Sequence, residues 1–422
     1  MRILFASYAE RTHFYSMVPL AWALAAAGHD VRVAGQASLK DAISGAGLTA
    51  VPVGGENNLW RVLRLYPQAE EMARSQVFPP FGLLDLPEEE RTYAAFRSGY
   101  EQVVRWWWRL TNDPMVDGLV AFARAWRPQL VIWEAATFAG ALAAAAVGAA
   151  HARVTCSLDL YGAAREQFLR LSGLRPPAER SDPLAEWLGA RAAKVGVPFG
   201  EEMVTGHFTV EQLPASMRVR TDLRYVPMRY TPYNGVAVVP RWLWEPPARP
   251  RVCVTLGTMN AERLGGSPIS VREALDALAD LEVEVVATVP DAERDRLGAV
   301  PANATVVPRA PLYALAGSAA AVVHHGGWGT MNTTALHGVP QLTLAQQFDA
   351  PVRGRLLAAQ GAGLCLPPER ADAAAVRERV TRLLGEASFR EGAAGLRDEM
   401  LSMPTPRAVA AEVVRLAAEH LA

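Results

Sequence analysis

The sequence is poor in the features that mark several common protein classes. It carries no strong excess of charge, since 42 basic side chains nearly cancel 43 acidic ones over 422 residues. A globally basic or acidic partner such as nucleic acid or an anionic lipid surface is therefore not expected. No window reaches the ~18 uninterrupted apolar residues of a membrane span. The opening MRILFASYAERTHF lacks the apolar core of a signal peptide, so a cytoplasmic location is expected. Cysteine is scarce: Cys156, Cys253 and Cys365 are far apart and odd in number, and the last two lie in apolar runs. That pattern argues against disulfides and cysteine-type zinc sites and for core thiols. Lysine occurs only at Lys40 and Lys194, a bias to which no mechanism is attached. Neither GxxxxGK[ST] nor GxGxxG follows the first strand of either half, which argues against a P-loop ATPase or an ordinary dinucleotide enzyme. No tandem repeat of solenoid length is present.

What is present is a twofold alternation of strand and helix signals. The length exceeds what one hydrophobic core usually serves, and half of the residues are hydrophobic. Arg2 to Ala6 reads as a strand, followed by a polar loop and a helix from Pro19 to the Gly28 stop. DVRVAG, TAVPVG, PQLVIW and HARVTC read as further strands separated by helices, including Gly118 to Trp126. Between about Glu56 and Asn112, and again from about Tyr161 to Leu223, the pattern loosens into irregular helical stretches. The alternation restarts at RVCVTLG and runs through VEVVATV, ATVVPRA, AAVVHH, QLTLA and GLCLP. The expected fold class is α/β, with two parallel, doubly wound Rossmann-like lobes facing across a cleft. The expected division is residues 1–228, a proline-rich linker at 229–250, and residues 251–404. A terminal helix at about 405–422 is expected to pack back on the first lobe.

In open parallel sheets ligands gather beyond the carboxyl ends of the strands, so polar or glycine-rich residues there outrank others. His325, Gly326, Gly327, Trp328, Gly329 and Thr330 follow the strand AAVVH and open a helix. Glycines let backbone approach a ligand, and the helix start offers unpaired N–H groups to an anion such as phosphate. The bland alternative is a plain strand-to-helix turn. Gly257 and Thr258 follow RVCVTL and suggest a second turn facing the first, together holding a diphosphate. In the first lobe His13 follows the first strand and Glu134 follows LVIW. Each alone reads as structural, but together they could form a proton acceptor and the carboxylate that orients it. Asp349, after QLTLA, could accept sugar hydroxyls or simply begin a helix. His324, His325 and His337 do not make a metal cluster, because adjacent strand residues face opposite ways and no carboxylate completes the set, so no metal is expected. Trp106 to Trp108 could pack the irregular lobe, line an apolar acceptor pocket or face a partner protein.

The segment HHGGWGTMNTTALHGVPQLTLAQQFDA resembles the nucleotide-sugar signature of GT-B glycosyltransferases. THFYSMVPLAWALAAAGHDVRVAGQ, PQLVIWEAATFAGALAAAAVGAAHARV and EPPARPRVCVTLGT extend the likeness to antibiotic-tailoring deoxysugar transferases of the desosaminyl and mycaminosyl type. The resemblance implies His13 as general base with Glu134 orienting it, and His325, Gly327, Gly329 and Thr330 as the diphosphate cradle. It further implies Thr258 in the facing loop, Arg309 and Ala310 beside the nucleotide base, and Asp349 on the sugar. Phe14, Phe81, Trp107 and Tyr161 are the candidate acceptor contacts. Two positions depart from the pattern. Ala350 stands where plant members have Gln, which suits a donor lacking some hydroxyls, and Trp328 stands where macrolide relatives often have a small residue. The implied reaction is inverting transfer from a dTDP-deoxysugar to a polyketide, macrolide-like aglycone, without a metal or resident cofactor. Similar proteins commonly use an auxiliary protein related to haem-thiolate monooxygenases, and residues 56–112 are the candidate docking surface. A homodimer is left open. The rival readings are a nucleotide-sugar epimerase on the same fold and a catalytically silent nucleotide-binding helper.

Overall fold

The computed structural model describes residues 1–57, 59–66, 77–257, 269–295, 297–346 and 348–421. Two all-parallel sheets organise the chain. The first contains β1 (Arg2–Ala6), β2 (Asp30–Gly35), β3 (Thr49–Pro52), β4 (Leu130–Glu134), β5 (Ala150–Val154), β6 (Phe208–Glu211) and β7 (Tyr225–Pro227), in the order β3-β2-β1-β4-β5-β6-β7. The second contains β8 (Arg251–Thr255), β9 (Glu284–Thr288), β10 (Ala304–Val307), β11 (Ala321–His324), β12 (Gln341–Thr343) and β13 (Gly363–Cys365), in the order β10-β9-β8-β11-β12-β13. The direction of strand addition reverses between β1 and β4 in one sheet and between β8 and β11 in the other. Those reversals open crevices at the strands' carboxyl ends. Ala6 lies opposite Trp133, and His324 opposite Thr255, so the residues that follow emerge side by side.

Burial on both faces explains why the strands read as continuous apolar runs rather than alternating ones. All five residues of β4, LVIWE, are buried. One face of the first sheet carries Phe5, Val33 and Ile132 against the Arg11–Ala26 helix and against Val409, Val413 and Leu416 of the Pro406–Ala418 helix. The terminal helix thus belongs to the core of the first sheet, although it follows the second in sequence. The opposite face is covered by an aromatic-rich layer that also takes in Trp328, Met331 and Leu357 from the second sheet's helices.

Several local expectations change. The first helix spans Arg11–Ala26 and carries Pro19 inside it, so the stretch read as a polar loop is already helical. Pro19 removes one amide donor, but Met17, Val18, Leu20, Ala21 and Leu24 are buried against the sheet, and that burial outweighs the missing bond. His13 therefore sits in a helix's first turn. The helix expected from Gly118 begins at Arg109, with Pro114 inside it. Val104–Trp108 form a π turn that joins it to the Tyr93–Val103 helix. β6 falls in the stretch read as irregular and β7 just after it, and together they widen the sheet to seven strands.

Candidate active site

His13 and Glu134 come together at the crevice between β1 and β4. Glu134 ends β4 fully buried, and His13, partly exposed, brings Nδ1 to 3.1 Å from its Oε1. The approach lies outside linear hydrogen-bond geometry, so charge rather than a well-aligned bond couples the pair. The second carboxylate oxygen is held by Thr137 Oγ1 at 2.9 Å, and the Ala136 amide donates to Oε1 at 3.1 Å. These contacts fix the carboxylate before any ligand arrives. On the other side of the imidazole, Nε2 lies 3.4 Å from the Tyr8 hydroxyl.

Burial by itself disfavours the imidazolium of His13, but Cys156 and Glu134 oppose it and leave the pKa well above 6.5. Burial pushes the Cys156 thiol up to about 11, so near neutral pH it is uncharged. The Glu134 carboxylate is then the anion that holds the proton on His13. Burial and the Glu134 charge likewise raise Tyr8, which stays a phenol. Cys156, two residues beyond β5, places Sγ 3.5 Å from Glu134 Oε1. Nδ1, the carboxylate and Sγ all lie within 4.8 Å of one another, the one set of three possible metal-ligand atoms among the described residues. The set was not foreseen, because the cysteine was read as a core thiol.

The second crevice is built around His325. An ideal Cβ on Gly257, whose φ is +79°, would stand 2.6 Å from His325 Cε1, and one on Gly327 would stand 2.5 Å from Nε2. The imidazole is thus gripped between the turns after β8 and β11, and only glycine permits that spacing. Burial lowers the His325 pKa, outweighing the Thr255 carbonyl that Nδ1 faces at 3.5 Å, and the nearby Arg353 cation adds to the lowering, so the ring is neutral near pH 7 with its N–H directed at Thr255. Behind it, His324 Nδ1 accepts the Gly326 amide hydrogen at 3.0 Å while Nε2 faces Gln341 Oε1 at 2.8 Å. The Gly326 N–H is therefore committed to the turn, contrary to its expected place in an anion cradle. Trp328, Gly329 and Thr330 open the Trp328–Leu336 helix, whose first-turn amides have no intrahelical acceptors. Arg309 is exposed in the loop after β10, and Ala310 packs beside Leu315 and Val322. Thr258 lies outside the described residues.

Asp349 starts the Ala350–Ala359 helix but does not cap it. It is buried, in contrast to a surface capping residue. Oδ2 accepts from the Leu158 amide at 2.7 Å and from Arg353 Nε at 2.6 Å, and Oδ1 accepts from Arg353 Nη2 at 3.1 Å. The first of these bonds crosses between the lobes.

Three of the four aromatic candidates meet in one cluster. Phe81 lies 5.1 Å from Tyr161, and both rings, with Trp107, contact Phe348 at 5.4, 5.6 and 5.8 Å. Phe348 comes from the second lobe, in the turn before the Ala350–Ala359 helix, and was missed. Tyr161 is raised by burial and by the charges of Glu134 and Asp349, which places it between the two crevices. Phe14 does not join them: it is fully buried among Ile3, Phe5 and Leu20 under the first helix, on the side away from His13. Trp108 is core, edge-on to Phe138 at 4.9 Å. A separate groove between Arg105, Arg109, Trp187, Arg191 and Lys194 opens elsewhere on the first lobe and contains neither His13 nor Glu134.

Residues 22–257 match the N-terminal domain family described as erythromycin biosynthesis protein CIII-like, and residues 272–416 match its C-terminal counterpart. The chain is 46% identical over 422 residues to the 10-deoxymethynolide desosaminyltransferase of Streptomyces venezuelae, covering 100% of this chain and 98% of that protein. It is 44% identical over 434 residues to the aklavinone 7-beta-L-rhodosaminyltransferase of Streptomyces galilaeus, covering 100% and 97%. The crystal structure of glycosyltransferase VinC in complex with dTDP matches with a TM-score of 0.89 at 37% identity, covering 99% of this chain and 100% of that one.

Proposed function

The chain belongs to the erythromycin biosynthesis protein CIII-like family of GT-B glycosyltransferases, and from that premise we propose that it transfers a deoxysugar from a dTDP-sugar to a hydroxyl of a polyketide aglycone during antibiotic biosynthesis. Relatives named for desosaminyl and rhodosaminyl transfer support the sugar class, and one structural neighbour named for its dTDP complex supports the nucleotide. The division of labour follows the sheets, with residues 1–228 receiving the acceptor and residues 251–404 the donor.

The observation that carries the mechanism is the His13–Glu134 pair at the β1/β4 crevice. With Nδ1–H held toward Glu134, the Nε2 lone pair is available to an acceptor O–H, and the Tyr8 phenol lies beside the same atom. The acceptor oxygen attacks the anomeric carbon as its proton passes to Nε2. The bond from that carbon to the diphosphate oxygen breaks, and dTDP leaves with the electron pair. A single in-line displacement inverts the anomeric configuration. The first-turn amides of the Trp328–Leu336 helix receive the charge growing on the diphosphate. Such a site needs no Lewis acid, because fixed dipoles supply the stabilisation.

Trp107 and Phe348, partly exposed over the buried Phe81 and Tyr161, offer the apolar aglycone its surface. An auxiliary protein related to haem-thiolate monooxygenases, docking on the first lobe near residues 56–112, is part of this reading, as is a cytoplasmic location where dTDP-sugars are made.

The deciding experiment compares wild-type protein with His13→Ala on a dTDP-deoxysugar and a macrolactone, with product read by mass spectrometry and dTDP affinity by calorimetry. The variant is expected to bind dTDP within twofold of wild type and to lose turnover by about 10²–10⁴-fold. Unchanged turnover would remove His13 as base. Donor conversion in the absence of acceptor would favour the epimerase.

A further inference from the structure

Asp349 is already largely occupied, and the group that occupies it is Arg353. An ionised carboxylate has about four acceptor positions. In this chain Oδ2 takes the Leu158 amide and Arg353 Nε, and Oδ1 takes Arg353 Nη2. Among the described residues nothing fills the remaining position, on Oδ1. Arg353 is itself buried, its guanidinium lies 5.6 Å from the centre of the Trp328 ring, and its charge reaches His325. Among the described residues its Nη1 has no hydrogen-bond partner and neither has the buried Trp328 Nε1. Ala350, the next residue, lies 3.0 Å from where a Cβ on Gly326 would stand, so this helix start abuts the glycine turn directly.

We propose that Arg353 is a positioning residue that sets donor selectivity, by consuming the acceptor capacity of Asp349 so that it can receive only one sugar hydroxyl. The inference rests on the reading of Asp349 as the sugar-facing carboxylate. A fully hydroxylated hexose that seeks two acceptors at this point leaves one hydroxyl desolvated and unpaired, and neither Ala350 nor the cationic guanidinium can accept from it. A donor lacking that hydroxyl loses nothing. The expected discrimination is about tenfold in affinity, the order expected for one unsatisfied buried hydroxyl. Lysine cannot reproduce the two-pronged grip of arginine on a carboxylate. Arg353→Lys therefore returns one acceptor position to Asp349 while keeping the charge.

The test is calorimetric binding of dTDP, dTDP-glucose and its 2-, 3-, 4- and 6-deoxy analogues to the full-length wild type, Arg353→Lys, Arg353→Met and Asp349→Ala. In the wild type at least one deoxy analogue is expected to bind about tenfold more tightly than dTDP-glucose. In Arg353→Lys that gap is expected to close to about twofold with dTDP affinity unchanged, a shift in ratio that a purely structural role would not produce. Should Arg353→Met fail to fold, the Lys variant carries the result. An unchanged ratio in Arg353→Lys would overturn the proposal. Asp349→Ala leaving every ratio of dTDP-sugar to dTDP affinity untouched would instead remove Asp349 from the sugar, and the proposal with it. Transfer to a macrolactone is measured separately, so failure of the transferase reading appears as binding without product.

Discussion

Replacing Glu134 by Gln changes the charge beside His13 with little change in shape, and the consequences for activity and stability can be worked out with their signs. In the wild type the carboxylate, 3.1 Å from Nδ1, holds the imidazolium and lifts the His13 pKa well above 6.5 against the opposing effect of burial. Only the neutral ring can take the acceptor's proton, so kcat/KM falls as pH drops through that raised value. An opposite charge at this range shifts a pKa by about 1–3 units, which corresponds to about 1.4–4 kcal/mol. Without it only Cys156, an uncharged thiol near neutral pH, stands against the effect of burial, and the pKa falls. The acid limb of the profile is therefore expected to move down by at least about one unit in Glu134→Gln. The plateau rate falls by about 10²–10⁴-fold, because the imidazolium formed in the transition state is no longer stabilised. Stability follows the opposite course. The wild-type pair contributes stability that is fully present below about pH 6.5 and is lost as pH rises through the folded-state pKa. In Glu134→Gln that contribution is gone, so its melting temperature should lie furthest below wild type at low pH. The assay is a kcat/KM profile from pH 5 to 10, supported by an NMR titration of the His13 ring. An acid limb that stays in place, or moves up, would refute the coupling.

Two further outcomes are accessible. Gly257→Ala puts a Cβ 2.6 Å from His325 Cε1 at a φ of +79°; dTDP affinity measured by calorimetry is expected to weaken at least about tenfold, and an unchanged Kd would take the β8 turn out of the donor site. Leu416→Ala, in the terminal helix, empties a fully packed position in the first sheet's core, so urea unfolding is expected to show a loss of about 2–5 kcal/mol, and a loss under 1 kcal/mol would mean that the helix is only loosely attached.

The alternation of strands and helices was legible because buried parallel strands are apolar runs bounded by turn residues, and eleven stretches of this kind need no tertiary information to be read as strands. β6 and β7 were not legible: FTVE and YVP are short, carry polar or proline residues, and become strands only by pairing with β5 and with each other. Pro19 misled because a proline reads as a helix start, whereas here the buried face overrides the missing amide. His13, Glu134 and the glycine turn were singled out by one rule, that ligands gather beyond strand ends, and the structure brings His13 and Glu134 together. The same rule could have picked out Cys156, which stands just past β5. Arg353 also left a signal, since Asp349 and Arg353 are four residues apart at a helix start, the spacing of a side-chain ion pair. Phe348 left none. Its role depends on where the second lobe meets the first, and Phe14 failed for the converse reason, since sequence proximity to His13 does not say which side of a helix a ring faces.

The turn at Phe348 and Asp349 joins the two lobes through contacts that neither could make alone. Phe348 has φ +45°, a conformation that costs a residue with a Cβ about 1–3 kcal/mol, so something must hold it there. Its ring is held by Phe78, Phe81, Trp107 and Tyr161 of the first lobe, and the adjoining carboxylate by the Leu158 amide. Arg355 reaches Asp85 of the first lobe at 2.7 Å from the same helix. On the proposed reading, a bulky apolar acceptor that entered among these rings would have to move Phe348, and with it the backbone next to the acceptor position on Asp349 that no described residue fills. Occupation of the acceptor site and the fit of the donor sugar are then not independent. By linkage, whatever affinity the acceptor gains from a well-placed sugar, the sugar donor gains from the acceptor.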